Sequence, residues 1–333
     1  MSRAVLFIHG DSDGVVSGSL ALRAFRDKRV NDVRIVFTHP AGLASDLAEF
    51  AVPGDTVFIA DIALSEPHLG EIEALFREFS SKGDLIYIDH HPEPLGIKPG
   101  ELAGIIIHDT SASASELTYK FFEEQLGWEY SRVALYGAIG DYLDTTPWVI
   151  EVLRDWDKRT IYFEAGVLTQ GLEGSRRMYD FKRHVVLHLS ENKLPSGLSE
   201  LLVRALIESV KDEELRAWVS SNVKTMKNLG YVVDPPGSLG KAAIYARTYG
   251  GRPVGVAIQH HRGVYNLSIR ARKGVNLNKI LRKISPRLGG TGGGHPEAAG
   301  ARIPVNKLWD FLRQLDNELS FVMNQRTYNA LGD

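Results

Sequence analysis

Short apolar runs alternate with helical stretches from Ala4 to Tyr142, and this alternation constrains the fold more than any other property of the chain. Ala4 to His9, Val33 to His39, Thr56 to Ile62, Asp84 to Ile88 and Gly104 to His108 read as strands, being too short for helices. Between them, Val15 to Phe25, Leu43 to Phe50 and Glu66 to Phe79 read as helices. The last of these carries Leu69, Ile72, Leu75, Phe76 and Phe79 at helical spacing. Ser113 to Leu126 and Arg132 to Tyr142 continue the helical pattern. Strands that are apolar throughout and separated by helices pack as a parallel sheet covered on both faces. Ligands of such a sheet bind outside the carboxyl ends of its strands. Three strands end there in side chains able to hold a metal: His9, Asp61, and Asp89 followed by His90.

The stretch Tyr87-Ile88-Asp89-His90-His91-Pro92 ends an apolar strand in one acid and two imidazoles, which are costly to bury unless paired. His9, Asp11 and Asp13 stand at spacing two, so a turning backbone can aim them at one locus. If Asp61, Asp89, His90, His91 and Asp141 join them, five carboxylates meet at one sheet edge. Two unit charges about 4 Å apart repel by roughly 4 kcal/mol at an effective dielectric of 20. A whole fold is worth only about 5 to 15 kcal/mol, so divalent cations are the natural counter-charge. Each piece alone also has a plainer reading. Asp11-Ser12-Asp13-Gly14 can be a turn, Asp89-His90-His91 a polar strand end, and Asp141 a helix end. The combination is more specific than any part.

At 333 residues the chain is long enough for two domains. Pro147 to Leu189 is mixed in pattern, with a basic cluster of Arg176, Arg177, Lys182 and Arg183 that reads as a solvated loop or as part of a strand path. Leu198, Leu201, Leu202, Ala205, Leu206, Leu215, Val219, Val223 and Met226 indicate helices of a connector. Asp234-Pro235-Pro236-Gly237 is the clearest punctuation, which divides the chain into 1–190, a helical connector 191–237 and 238–333. In the last part, Ala242 to Arg247, Val254 to Gln259 and Tyr265 to Arg272 read as strands. Along the third, Asn266, Ser268, Arg270 and Arg272 share one face. A helix (Leu277 to Ile284), the glycine-rich run Gly289 to Pro296 and an amphipathic helix (Val305 to Met323) follow. The glycine run lacks the Lys-Ser/Thr of a P-loop. It reads either as a flexible loop or as a backbone cradle for a phosphate.

Composition narrows the chemistry. The formal net charge is −2, so any nucleic-acid site is a patch rather than a basic coat. There is no cysteine, which excludes disulfides, thiolate catalysis and zinc-thiolate sites. A metal held by oxygen and imidazole is Mn or Mg rather than structural zinc. No apolar run approaches the roughly 18 residues of a membrane span, and the start is too short for a signal sequence, so the expected location is the cytoplasm.

These residues resemble the DHH phosphoesterase superfamily. His9-x-Asp11-x-Asp13-Gly14, the strand-end Asp61, Asp89-His90-His91 and Gly140-Asp141 look like its four ordered motifs. Gly292-Gly293-Gly294-His295-Pro296 with Ala298-Ala299-Gly300 resembles the accompanying DHHA1-type substrate-binding domain. The implied fold is α/β: a parallel-sheet DHH domain, a helical connector and a smaller α/β domain, with a cleft between. The resemblance implies two divalent ions, usually manganese. His9, Asp11 and Asp61 would hold one, and Asp13, Asp61, His90 and Asp141 the other, with Asp61 bridging. Asp89 would stand behind the metal ligands, and His91 would face a phosphate, the two being the implied catalytic residues. Ser268, Arg270, Gly292, Gly293, Gly294 and His295 would contact substrate.

The implied activity is that of a single-strand exonuclease on DNA or RNA, with 3′-to-5′ polarity favoured; short archaeal RecJ-like nucleases and nanoRNase-type proteins are similar in size. The alternatives are a hydrolase of short oligonucleotides, cyclic dinucleotides or nucleoside bisphosphates, and a scaffold that has lost catalysis. DNA-repair or replication proteins are the partners such a family implies, and the oligomeric state is left open.

Overall fold

The structure is a computed structural model that describes residues 3–27, 30 and 32–329, the side chains of 27 and 322–329 excepted. The chain divides into two compact units, Met1–Glu208 and Ser209–Asp333.

The first unit alternates strand and helix as its pattern predicts: β1 (Arg3–Ile8), α1 (Ser12–Asp27), β2 (Asp32–Phe37), α2 (Leu43–Phe50), β3 (Thr56–Ala60), α3 (Leu69–Lys82), β4 (Leu85–Asp89) and β5 (Ile105–His108). The helices α4 (Ala114–Phe121), α5 (Glu123–Leu126), α6 (Ser131–Gly140), α7 (Pro147–Val152), α8 (Lys158–Glu173), α9 (Tyr179–Ser190) and α10 (Ser199–Asn222) follow. The division between the units falls inside α10. All five strands run parallel in the order β2-β1-β3-β4-β5.

Strand side chains alternate between two cores, as the period of two requires. Leu6, Ile8, Phe58, Ile86 and Ile88 pack in the core that contains Val16, Leu20, Leu135 and Val185 of α1, α6 and α9. Val5, Phe7, Val57, Ile59, Leu85 and Tyr87 pack in the core with Leu43 and Leu47 of α2 and Ile72, Phe76 and Phe79 of α3. A strand buried on both faces must be apolar at every position, which is why these runs show no polar alternation. The mixed stretch from Pro147 to Leu189 is three helices. No helix among the described residues is long and apolar enough to cross a membrane.

The second unit holds β6 (Lys224–Thr225), β7 (Leu229–Val233), α11 (Leu239–Tyr249), β8 (Val254–His261), β9 (Val264–Ala271), α12 (Leu277–Ile284), β10 (Thr291–Gly294), β11 (Ala298–Pro304) and α13 (Leu308–Asn329). Its mixed sheet runs β10-β11-β9-β8-β7-β6. Asp234-Pro235-Pro236-Gly237 is a strand-to-helix turn inside this sheet, since β7 before it pairs in parallel with β8 after it.

Two expectations are corrected. Ala242 to Arg247 is helical, because Ala242, Ala243 and Ala246 recur at helical spacing and all three are buried. Small alanines let that face lie on the sheet, where Gly230 and Gly255 have no side chain to hold it off. The glycine-rich run is not a flexible loop either. Thr291 to Gly294 pair antiparallel with Ala299 to Arg302, so the ladder fixes their backbone.

Candidate metal centre

The strand order explains why the acids converge. The chain steps from β1 to β2 on one side and then returns to β3 on the other. The gap between β1 and β3 is therefore a topological switch point, where an open α/β sheet leaves a crevice at its carboxyl edge. His9 leaves the end of β1 and Asp61 the end of β3. His90 leaves β4 directly after Asp89.

Asp13 reaches the same locus from the first turn of α1. Its two carboxylate oxygens accept the N–H groups of Ala114 (2.7 Å) and Ser115 (3.0 Å) at the start of α4. The positive end of that helix thus holds the acid in place. Asp141 caps the far end of α6. Its approach depends on two glycines. A Cβ on Gly137 would stand 2.4 Å from Ser115 Oγ and 2.9 Å from Asp13 Oδ1, and one on Gly140 would stand 2.1 Å from Ser12 Oγ. Residues three apart share a helix face, so α6 can lie close against α1 and α4 and bring Asp141 in.

The resulting geometry has two lobes that share Asp61. His9, Asp11 and Asp61 offer ligand atoms within 4.8 Å of one another, and so do Asp13, Asp61 and His90. His9 Nδ1 lies 2.7 Å from Asp11 Oδ2 and 3.7 Å from Asp61 Oδ2. His90 Nε2 lies 3.3 Å from Asp61 Oδ1, 3.4 Å from Asp141 Oδ2 and 3.7 Å from Asp13 Oδ2. Asp61 itself has φ of 61°, a left-handed backbone that Asp tolerates better than most residues. Its Oδ2 is buried without a hydrogen-bond partner among the described residues. A buried carboxylate oxygen without a partner is costly, and a cation at that position would satisfy it.

The protonation of the cluster reflects the same imbalance. Burial pulls the His90 imidazolium down, but Asp61, Asp13 and Asp141 outweigh it and raise the pKa to about 10. Asp11 raises the pKa of His9 well above the ordinary imidazole value. Burial, reinforced by Asp61, pushes the Asp13 carboxyl up to about 6. Burial and the charge of Asp13 push Asp141 upward as well. Protons on imidazole and carboxyl here do what a divalent ion does better. The donor set, carboxylate oxygen and imidazole nitrogen without sulfur, fits Mn or Mg.

Asp89 and His91 pair with each other beside these lobes, and their ligand atoms also come within 4.8 Å of Asp61. Asp89 Oδ1 lies 2.8 Å from His91 Nδ1, and Asp89 Oδ2 accepts the His91 backbone N–H at 3.3 Å. The Tyr87 hydroxyl is 3.0 Å from Asp89 Oδ2. Burial pulls the His91 imidazolium down, but Asp89 outweighs it and raises the pKa to about 9. Asp89 therefore fixes the ring of His91 through Nδ1, as a carboxylate fixes a working imidazole.

Sequence reasoning missed Lys182. The basic cluster does not act as a unit: Arg176 pairs with Glu173 and Arg183 with Asp180 at the surface, whereas Lys182 is buried. Its ammonium donates to the carbonyl of Gly10, between His9 and Asp11. Burial lowers its pKa, against the pull of Asp11 and Glu173. The signal was present, because Lys182 belongs to the same helical face as Phe181, Val185, Val186 and Leu189. Lys182→Met should destabilise the chain by about 1.5 to 3 kcal/mol, the worth of a hydrogen bond to a charged donor. A denaturant midpoint equal to that of the wild type would rule out this anchoring role.

In the second unit, the register aligns Ser268 with Gly300 and Gly300 with Gly293 across three strands. Arg270 donates from Nη1 to Ser268 Oγ and to the Ile269 carbonyl, both at 3.1 Å. Gly292 faces α12, where a Cβ would stand 2.5 Å from Ser285 Oγ. Gly294 has φ of 133°, a conformation reserved for glycine, and its N–H meets Asn278 Oδ1 at 3.2 Å. His295 N–H closes the turn on the Ala298 carbonyl at 2.9 Å.

Residues 230–320 match the DHHA1 domain family. No curated protein matches the chain. Solved structures match it in fold along nearly its whole length at low identity. RecJ from Thermus thermophilus, in complex with Mn2+, aligns with a TM-score of 0.70 and 15% identity over 97% of this chain and 52% of its own. The chain thus spans about half the length of that protein. An exonuclease RecJ bound to manganese aligns with a TM-score of 0.61 and 16% identity over 96% of this chain and 90% of its own. The pGpG-specific phosphodiesterase PggH from Vibrio cholerae aligns with a TM-score of 0.59 and 14% identity over 96% of this chain and 99% of its own.

Proposed function

From a chain that has the DHH fold and carries a DHHA1 domain in its second unit, we propose a metal-dependent phosphoesterase that removes nucleotides from the end of a single strand. The observation that carries this reading is the set of ligand groups that share Asp61, whose Oδ2 is buried without a hydrogen-bond partner among the described residues. Two divalent ions, Mn favoured, would supply Lewis acidity toward a phosphoryl oxygen and lower the pKa of a water.

The protein's own residues do the rest. His9, Asp11 and Asp61 would hold one ion, and Asp13, Asp61, His90 and Asp141 the other. His91, oriented by Asp89, would hold a proton near a substrate phosphate. Arg270, braced on Ser268, would take a neighbouring phosphate of the strand. Gly293, Gly294 and His295 would contact the terminal nucleotide, with Gly292 kept for packing. Contacts of this kind position a substrate, and positioning supplies much of the rate in phosphoryl transfer.

A second reading is a hydrolase of very short oligonucleotides. The pGpG-specific phosphodiesterase PggH, which matches 96% of this chain in fold, supports it. Purified protein with Mn2+ should degrade labelled single strands from one end, at 3′ by our reading, and leave blunt duplex intact. Consumption of dinucleotides alone would favour the second reading. Absence of hydrolysis of any phosphoester would overturn both.

A further inference from the structure

Tyr142, the residue after Asp141, occupies a position that the fold would rather give to glycine. Helix α6 ends with the Tyr142 N–H on the Ile139 carbonyl at 3.1 Å and the Leu143 N–H on the Ala138 carbonyl at 2.9 Å. This pair of bonds is a Schellman motif, whose left-handed residue is usually glycine. Here that residue is tyrosine, with φ of 61°. A bulky side chain in this region is an outlier, tolerated where the surroundings hold it.

No contact among the described residues accounts for the choice. The residue is 73% exposed. Its ring stacks on no other ring, and its hydroxyl makes no hydrogen bond, among the described residues. The loop itself is held, because Asp144 Oδ2 accepts the Tyr162 hydroxyl at 3.0 Å. An exposed aromatic ring on a held loop therefore stands one residue from a carboxylate that lies 3.4 Å from His90 Nε2. Aromatic rings so placed are platforms for nucleobases, since every base offers a π-face.

We propose that Tyr142 stacks on the nucleobase next to the phosphate held at the metal centre and so restricts the substrate to phosphoesters that carry a base. The proposal rests on the phosphoesterase reading for its substrate class. It makes Tyr142 a specificity-determining residue rather than part of the bond-breaking machinery.

The test compares wild type, Tyr142→Gly and Tyr142→Phe with Mn2+ on single strands that end in adenosine or in an abasic residue. Tyr142→Gly should raise KM about tenfold or more on the adenosine end and leave kcat within about twofold. Tyr142→Phe should retain the wild-type KM. On the abasic end, wild type and Tyr142→Gly should be equally poor. The unfolding temperature of Tyr142→Gly should equal or exceed that of the wild type, which separates a lost contact from a lost fold. A KM within about twofold of wild type on the adenosine end, or an equal loss on both ends, would overturn the proposal.

A second arm needs no turnover: a phosphorothioate-ended strand that carries terminal 2-aminopurine should lose fluorescence on the wild type but not on Tyr142→Gly. If no substrate is hydrolysed, the phosphoesterase reading fails and this signal alone decides the stacking role. Equal quenching, or none, on both proteins would then overturn it.

Discussion

Asp61→Asn should lower turnover by about 10^3-fold or more while the chain stays folded. Asp61 is the residue common to both ligand groups, and its two oxygens face different histidines: Oδ1 toward His90 at 3.3 Å, Oδ2 toward His9 at 3.7 Å. Asparagine keeps the shape but has one oxygen and no charge, so it cannot serve both lobes. Loss of several kcal/mol of transition-state stabilisation corresponds to about 10^3 in rate at 1.36 kcal/mol per factor of ten.

Stability should change little in the metal-free protein. The substitution removes an attraction to two histidines but also removes repulsion from Asp11, Asp13 and Asp141, all terms of similar size. The check has two readouts, bound manganese per chain and rate on a labelled single strand. Two ions per chain with unaltered turnover would refute the bridging role.

Manganese should stabilise the protein more at alkaline than at acidic pH, by several degrees in the unfolding temperature. The sign follows from the shifted groups in the metal-free state. His90 is raised from 6.5 to about 10, and His91 from 6.5 to about 9. Each contributes stability that is fully present below about pH 6.5 and lost as pH rises through its folded pKa. Asp13, raised from 3.8 to about 6, acts in the same direction over a lower window. The metal-free protein should therefore weaken as pH climbs from about 6.5 toward 10.

A metal requires the deprotonated forms of His90 and Asp13, so each proton it displaces makes apparent affinity rise with pH. Melting curves with chelator and with Mn2+, at about pH 6.5 and about pH 8.5, compare the two gains. A gain independent of pH would mean that these groups do not bind the ion. Activity should vanish in chelator and return on addition of Mn2+.

Much of this arrangement was legible because it is local. A run such as Ala4 to Ile8 or Thr56 to Ala60 is apolar at every position, and that alone makes it a doubly buried strand. The residue that follows must then leave the sheet at its carboxyl edge, which is why His9, Asp61 and Asp89-His90 stood out as a set. Helix α2 was legible to the residue, since Leu43 and Leu47 mark its buried face. The second unit was harder. Ala242 to Arg247 has too little amphipathic contrast to separate helix from strand, and packing of small residues against the sheet decided it. The glycines of β10 have no side-chain pattern at all, so only their partner strand reveals them.

Period, burial and ligand type are properties of neighbours along the chain, so they mark in advance which residues could meet at the sheet edge and what chemistry they could support. Tertiary structure decided which of them do meet. Strand order is set by contacts between faces that all carry the same apolar code, so nothing local says that β1 and β3 flank the switch point and bring His9 to Asp61. Asp141 arrives only because Gly137 and Gly140 let α6 lie against α1 and α4. Lys182 and Tyr142 look ordinary in the sequence. Burial beneath Gly10 marks the first, and a left-handed backbone beside Asp141 marks the second.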